Sequence, residues 1–233
     1  MTVKLKPKQT IIALDVNSLE EIKSLLAIID KDIFRLKVGK QLFTSQGPKA
    51  IDELKSLGFD IFLDLKLHDI PKTVAKSLEN ICNLGVWMSN IHLLGGQEMI
   101  QEASTTIKKL NSDMILVGVT ILTSLDETNL VELGLNFNTE EMAIKLAKLG
   151  KQNGVDGVVC STEDISGIKA SFGGNFLSVT PGVRMLQDNN DQKRVGSLYD
   201  AIQFGTDFVV VGREITQAKN PKEVLKKIES LIV

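Results

Sequence analysis

The sequence predicts an α/β protein, a single-domain (β/α)8 barrel of the TIM type spanning residues 1–233. Three observations carry this. Short β-branched runs alternate with amphipathic stretches eight times, Gly stands at several helix-to-strand junctions, and no Pro-, Gly- or Ser-rich linker divides the chain. Such alternation implies parallel strands joined by crossover helices, and eight units close naturally into a barrel. A chain with 43% hydrophobic residues can bury the core this needs. A doubly wound open sheet is the competing arrangement, but no GxGxxG follows the first strand, which weakens its dinucleotide-binding version.

The expected strands are Thr10–Asp15, Ile33–Val38, Asp60–Leu65, Val86–His92, Met114–Thr120, Gly157–Cys160, Phe176–Val179 and Asp207–Val211. The expected helices are Leu19–Ile29, Pro48–Leu57, Thr73–Asn83, Gln97–Leu110, Thr139–Asn153, Asp164–Ser171, Leu198–Phe204 and Pro221–Ile232. Gly58, Gly85, Gly154 and Gly205 fall where a left-handed residue would end a helix. Trp87 and Met88 read as core or helix-facing packing, and Lys222–Glu229 as the solvated face of the last helix.

A net charge of −2 gives no global basic field, so neither nucleic acid nor an acidic membrane surface is an expected partner. Any cationic site must be local. Cys82 and Cys160 read as reduced core thiols. Residues Met1–Gln9 lack an apolar signal core, and no apolar run approaches the ~18 residues of a membrane span. The expected compartment is the cytosol.

Barrel enzymes place their sites at the C-terminal ends of the strands. Here those ends carry Asp15, Lys37, Asp64 with Lys66, His92, Thr120 with Thr123, Thr180 with Pro181, and Gly212 with Arg213. The strand bodies are Ile, Val, Leu, Phe and Ala, and burying a charge in such a run is costly unless it is paired. Strand three holds the densest group, Asp64-Leu-Lys-Leu-His-Asp69. Alternation puts Asp64 and Lys66 on one face and Leu63, Leu65 and Leu67 on the other. Asp69 follows the strand, where Pro71 favours a turn. Lys66 therefore lies between two carboxylates, and Lys37 can complete a Lys–Asp–Lys–Asp array. A plain ion-pair network is the competing reading of these residues.

Here the sequence resembles the orotidine 5′-phosphate decarboxylase family. DLKLHDIPKT (Asp64–Thr73) is similar to that family's signature. ALD at Ala13–Asp15, LKVG at Leu36–Gly39, LTS at Leu122–Ser124, TPGVR at Thr180–Arg184, DQKRV at Asp191–Val195 and VVGREIT at Val210–Thr216 follow in the family's order. Three departures stand out: His92-Leu-Leu-Gly-Gly96 for a His-Ala-x-Gly-Gly pattern, Met185 after the arginine of TPGVR, and Glu214 after the Gly-Arg pair.

The resemblance implies a homodimeric barrel that converts orotidine 5′-monophosphate to uridine 5′-monophosphate without cofactor or metal. It implies Lys66 as proton donor, working with Asp64, Asp69 and Lys37. It places Asp15 and Lys37 at the ribose, Thr123 and Ser124 at the base, and Arg184, Gln192, Gly212 and Arg213 at the phosphate. Asp69 and Thr73 are expected to reach the partner's site. Arg184 is either a phosphate contact or a surface arginine. His68 reads as supporting, and His92 as structural or substrate-adjacent. Two isolated histidines are poor grounds for a metal site. Two other functions fit part of the pattern: a magnesium-dependent sugar-phosphate decarboxylase with a similar Asp-x-Lys-x-x-Asp strand, and a non-catalytic phosphosugar-binding barrel. The first has an acidic metal ligand on strand two, where this chain has Lys37.

Overall fold

The structure, a computed structural model, describes residues 4–184 and 196–232. Its strands are β1 (Thr10–Leu14), β2 (Phe34–Gly39), β3 (Ile61–Leu67), β4 (Met88–His92), β5 (Ile115–Val119), β6 (Gly157–Val159), β7 (Leu177–Pro181) and β8 (Phe208–Val211). Each pairs in parallel with the next, and β8 returns to β1, so the sheet closes into a barrel. The open-sheet alternative is excluded by that closing ladder.

Strand alternation sorts the core into two layers. Ile12, Leu14, Leu36, Val38, Ile61, Leu63, Ile91, Leu116, Val209 and Val211 pack outward against the helices. Ile11, Ala13, Phe62, Met88, Val117, Val119, Val159, Val179 and Val210 fill the barrel interior. The N-terminal end of the barrel is plugged by an aromatic group. Trp87 meets Phe208 edge-on, and the Arg35 guanidinium stacks 3.8 Å over the indole. Met88 is thus interior core, and Trp87 is half-buried beside it. These residues occupy the barrel floor and leave the C-terminal mouth for chemistry.

Most predicted helices form with small shifts at their ends. The segment Leu19–Ile29 is the exception: it makes a 3-10 turn at Glu20–Ile22 and one α-turn at Lys23–Leu26. No side chain caps either turn, and Ile22, Leu25 and Leu26 are buried without a full helix. The helix expected over Thr73–Asn83 starts at Pro71, because proline's fixed φ and missing N–H suit the first helical position. Among the described residues three short α-helices were not expected: Lys40–Gln46, Glu127–Glu132 and Arg213–Thr216. The second had a readable signal, since Asp126 and Asn129 form a capping box. Cys160 is buried and Cys82 half-buried, and neither is in a disulfide. Among the described residues no helix is long and apolar enough to cross a membrane.

Candidate active site

A cleft of about 620 Å³ opens at the C-terminal ends of the strands. That volume lies within the range of small-molecule sites. Its deep wall carries Lys37, Asp64 and Lys66, from β2 and β3, with Asp15 beside them just past the end of β1 and 44% exposed. One apolar side is built from Val119, Ile121, Leu122, Val159 and Val210, with Thr123 and Ser124 at its edge. The opposite rim holds Pro181, Gly182, Arg184, Gly212 and Arg213. A planar ring with a charged tail would therefore meet apolar walls in the middle and cations at both ends.

The deep wall is a chain of ion pairs. Lys37 Nζ lies 3.5 Å from Asp15 Oδ1 and 3.2 Å from Asp64 Oδ2. Lys66 Nζ donates to the other oxygen of Asp64, Oδ1, at 2.7 Å. Asp64 and Lys37 are buried, and Lys66 retains 30% of its side-chain exposure toward the cleft. Burial alone would push the Asp64 carboxyl up, but Lys37 and Lys66, with hydrogen bonds from Lys66 and Asn90, hold it far below the usual carboxylate range. Burial also acts to lower Lys37, and Asp64 and Asp15 outweigh it, so its pKa rises above the ordinary lysine value. Each charge makes its buried neighbour affordable, and removing one exposes the others to the full desolvation penalty.

Lys66 does not reach Asp64 along a flat strand. Its φ of 52° is left-handed. Leu63 pairs with Ser89 and Leu67 with Ile91, so β3 uses four steps where β4 uses two. This bulge re-aims Lys66 and removes its backbone N–H from the ladder. Asn90, buried on β4, accepts that N–H at 2.7 Å and donates to Asp64 Oδ1 at 2.6 Å. The reading of the sequence passed over Asn90. Its signal was an amide inside an apolar strand, at an inward position between Met88 and His92.

The fourth member of the expected array is not in place within one chain. Among the described residues Lys66 forms an ion pair with Asp64 and none with Asp69. Asp69 is exposed, and its Oδ1 accepts the N–H of Ile70 at 2.7 Å. Thr73 is exposed on the first turn of the following helix and does not line the cleft. The reason is geometric: the bulge and the Pro71 helix start lead the chain outward after Leu67. Thr120 and Thr180 are also turned away. Thr120 Oγ1 donates to the Val159 carbonyl at 2.9 Å, and Thr180 Oγ1 lies 2.8 Å from Thr206 Oγ1.

The two histidines lie against each other outside the cleft. His92 Nδ1 accepts the N–H of Leu94 at 3.3 Å, and its ring stacks on His68 at 5.3 Å between centroids. Burial, then His68, Lys66 and Lys40, lower the His92 pKa to about 4, so its ring is neutral at pH 7. Neither histidine lines the cleft. Gln192 and the DQKRV segment lie outside the described residues.

A parallel barrel with an ion-paired lysine at the inner end of its mouth and arginines at the outer end defines a class: barrel enzymes acting on phosphorylated small molecules. The chain belongs to the orotidine 5′-phosphate decarboxylase / HUMPS family, whose model matches residues 8–228. It is 45% identical to an orotidine 5′-phosphate decarboxylase of Pseudoalteromonas translucida, covering 97% of this chain and 98% of that one. It is 44% identical to the protein of the same name from Pasteurella multocida, over 94% and 95% of the two chains. A crystal structure of the Lactobacillus acidophilus orotidine 5′-phosphate decarboxylase superposes with a TM-score of 0.83 at 34% identity, covering 97% and 98%.

Proposed function

We propose that this chain is a carboxy-lyase that converts orotidine 5′-monophosphate to uridine 5′-monophosphate and CO2, the last step of pyrimidine nucleotide synthesis, in the cytosol. One observation carries the reading: the Lys66 ammonium, 2.7 Å from Asp64, in a cleft that Arg184 and Arg213 also line. Family membership over nearly the whole chain supports it.

In this reading the bond between C6 and the carboxylate breaks, CO2 leaves, and the electron pair stays on C6. No adjacent carbonyl accepts that pair, so the site must stabilise it electrostatically. Lys66 stands beside C6 as a fixed positive charge and then transfers a proton from Nζ, which completes the product. Asp64 holds Lys66 in place through Oδ1 and faces the departing carboxylate, while Lys37 anchors Oδ2. Asp15 and Lys37 bind ribose hydroxyls, and Thr123 and Ser124 lie at the pyrimidine. Arg213, with Arg184, Gly212 and Gln192, takes the phosphate. Binding energy from that remote group supports the chemistry at C6.

The same reading includes a homodimer in which Asp69 and Thr73 serve the partner's site. The exposure of Asp69, and of Ile70 beside it at 68%, supports this, as does the open flank of Lys66 in a single chain.

The metal-dependent alternative is disfavoured by Lys37, whose ammonium occupies the side of Asp64 that a divalent cation would need. The test is the loss of orotidine 5′-monophosphate absorbance in excess EDTA. Undiminished turnover is expected. Turnover that disappears with EDTA, or its absence with and without metal, rejects the reading.

A further inference from the structure

We propose that Asn90 is a positioning residue for the decarboxylation, holding Lys66 in its left-handed backbone conformation and fixing the carboxylate oxygen that Lys66 grips. This role rests on the reaction proposed above and adds a residue that the reading of the sequence did not single out.

The need for such a residue follows from the bulge. In the regular part of β3 the even positions face β2, as Asp60 does in accepting the Leu36 N–H, so an unbroken strand would turn the Lys66 N–H toward β2, whose pairing ends at Gly39–Asp64. With three residues of β3, Asp64–Lys66, set against Asn90 alone on β4, the Lys66 N–H instead turns toward β4 and meets a side chain in place of a ladder carbonyl. A buried donor left unpaired is unfavourable, and so is a lysine held in the left-handed region. Side chains of β4 replace the missing ladder. Asn90 Oδ1 accepts the Lys66 N–H at 2.7 Å. On the outward face Ser89 Oγ donates to the Leu63 carbonyl at 3.0 Å.

Asn90 does more than fill a vacancy. Its Nδ2 donates to Asp64 Oδ1 at 2.6 Å, the same oxygen that accepts from Lys66 Nζ at 2.7 Å. One amide thus ties the backbone of Lys66 to the carboxylate that orients its ammonium. An amide is suited to this, because one end accepts and the other donates. A carboxylate could take the N–H but would repel Asp64, and an aliphatic side chain could do neither. Asn90 is fully buried, so it is held by packing and has no competing water. It does not line the cleft, which separates its action from substrate contact.

The test uses two variants of the full chain. Asn90→Leu removes both bonds at similar volume. Its kcat is expected to fall about 100-fold, the cost of a misplacement near 1 Å. The dissociation constant for uridine 5′-monophosphate should stay within about threefold, since phosphate and ribose contacts are untouched. Should Asn90→Leu fail to fold, Asn90→Asp decides the matter. Its introduced carboxyl can both donate and accept only when protonated. Relative to wild type, its kcat is then expected to rise as pH is lowered from about 8 to about 5. A folded Asn90→Leu enzyme with kcat near wild type overturns the role. So does an Asn90→Asp profile parallel to that of wild type. If the wild-type chain itself does not decarboxylate orotidine 5′-monophosphate, the reaction assignment fails first and takes this role with it.

Discussion

Lys37 and Lys66 grip opposite oxygens of one buried carboxylate: Lys37 Nζ sits 3.2 Å from Asp64 Oδ2, and Lys66 Nζ 2.7 Å from Asp64 Oδ1. The two cations therefore do different work. Lys37 is buried and neutralises the carboxylate from behind, while Lys66 keeps an exposed face to the cleft. In the proposed reaction Lys66 serves the reacting carbon, while Lys37 anchors the carboxylate and meets the ribose.

Replacing Lys37 with Met tests the structural half. Asp64 keeps one cation and the Asn90 amide, so the site is weakened without being stripped. We expect the urea midpoint to fall by the equivalent of about 3 kcal/mol, as for other broken buried pairs. The pH dependence has a definite sign. Asp64 is held below its unfolded pKa, so its contribution is full above about pH 4 and is lost as pH falls further. Lys37 is held above its unfolded pKa, so its contribution is full below about pH 10 and is lost as pH rises through the folded value. The array should therefore stabilise the wild type evenly between those limits. An unchanged urea midpoint in the Lys37→Met chain would remove the array from the stability account.

Mixed dimers test the crossing of Asp69. Lys66→Ala and Asp69→Ala chains should each be folded and lose more than about 10³ in kcat, as expected when a principal electrostatic group is removed. Mixed and allowed to exchange, they should recover about a quarter of wild-type activity, because half the dimers are hybrids and each hybrid has one intact composite site. If Lys66 and Asp69 act within the same chain, no hybrid site is intact and the mixture stays inactive.

Arg213 lines the cleft just past the end of β8, beside Gly212. Loss of a bidentate guanidinium–phosphate contact should lower kcat/KM by about 10²–10³. We expect Arg213→Ala to bind the phosphate-free nucleoside as well as wild type does. Equal losses toward nucleoside and nucleotide would place the guanidinium elsewhere.

His92 supplies an acid-side signature. Its folded pKa of about 4 lies below the unfolded value of 6.5, chiefly through burial. Its contribution to stability is full above pH 6.5 and is lost as pH falls toward 4, because the unfolded chain takes up the proton first. The wild-type Tm should therefore fall between pH 6.5 and pH 4.5 or so. In His92→Asn that fall should shrink, as read by circular dichroism. An identical slope in the variant would show that the stacked pair with His68 does not carry the effect.

Much of this protein was legible before any coordinates. The period of two along the strands and the helical stretches between them specify a parallel barrel. The charges at strand ends mark Asp15, Lys37, Asp64, Lys66 and Arg213, and all five line the same cleft. Both signals are local, since each depends only on residues a few positions apart. What tertiary structure alone decided is the pairing between strands. The unequal count of residues between β3 and β4 frees the Lys66 N–H, turns Lys66 left-handed and brings Asn90 onto Asp64. It also carries Asp69 away from Lys66 within a single chain. No periodicity encodes which backbone groups lose their partners, because that is set by the register of two segments some two dozen residues apart.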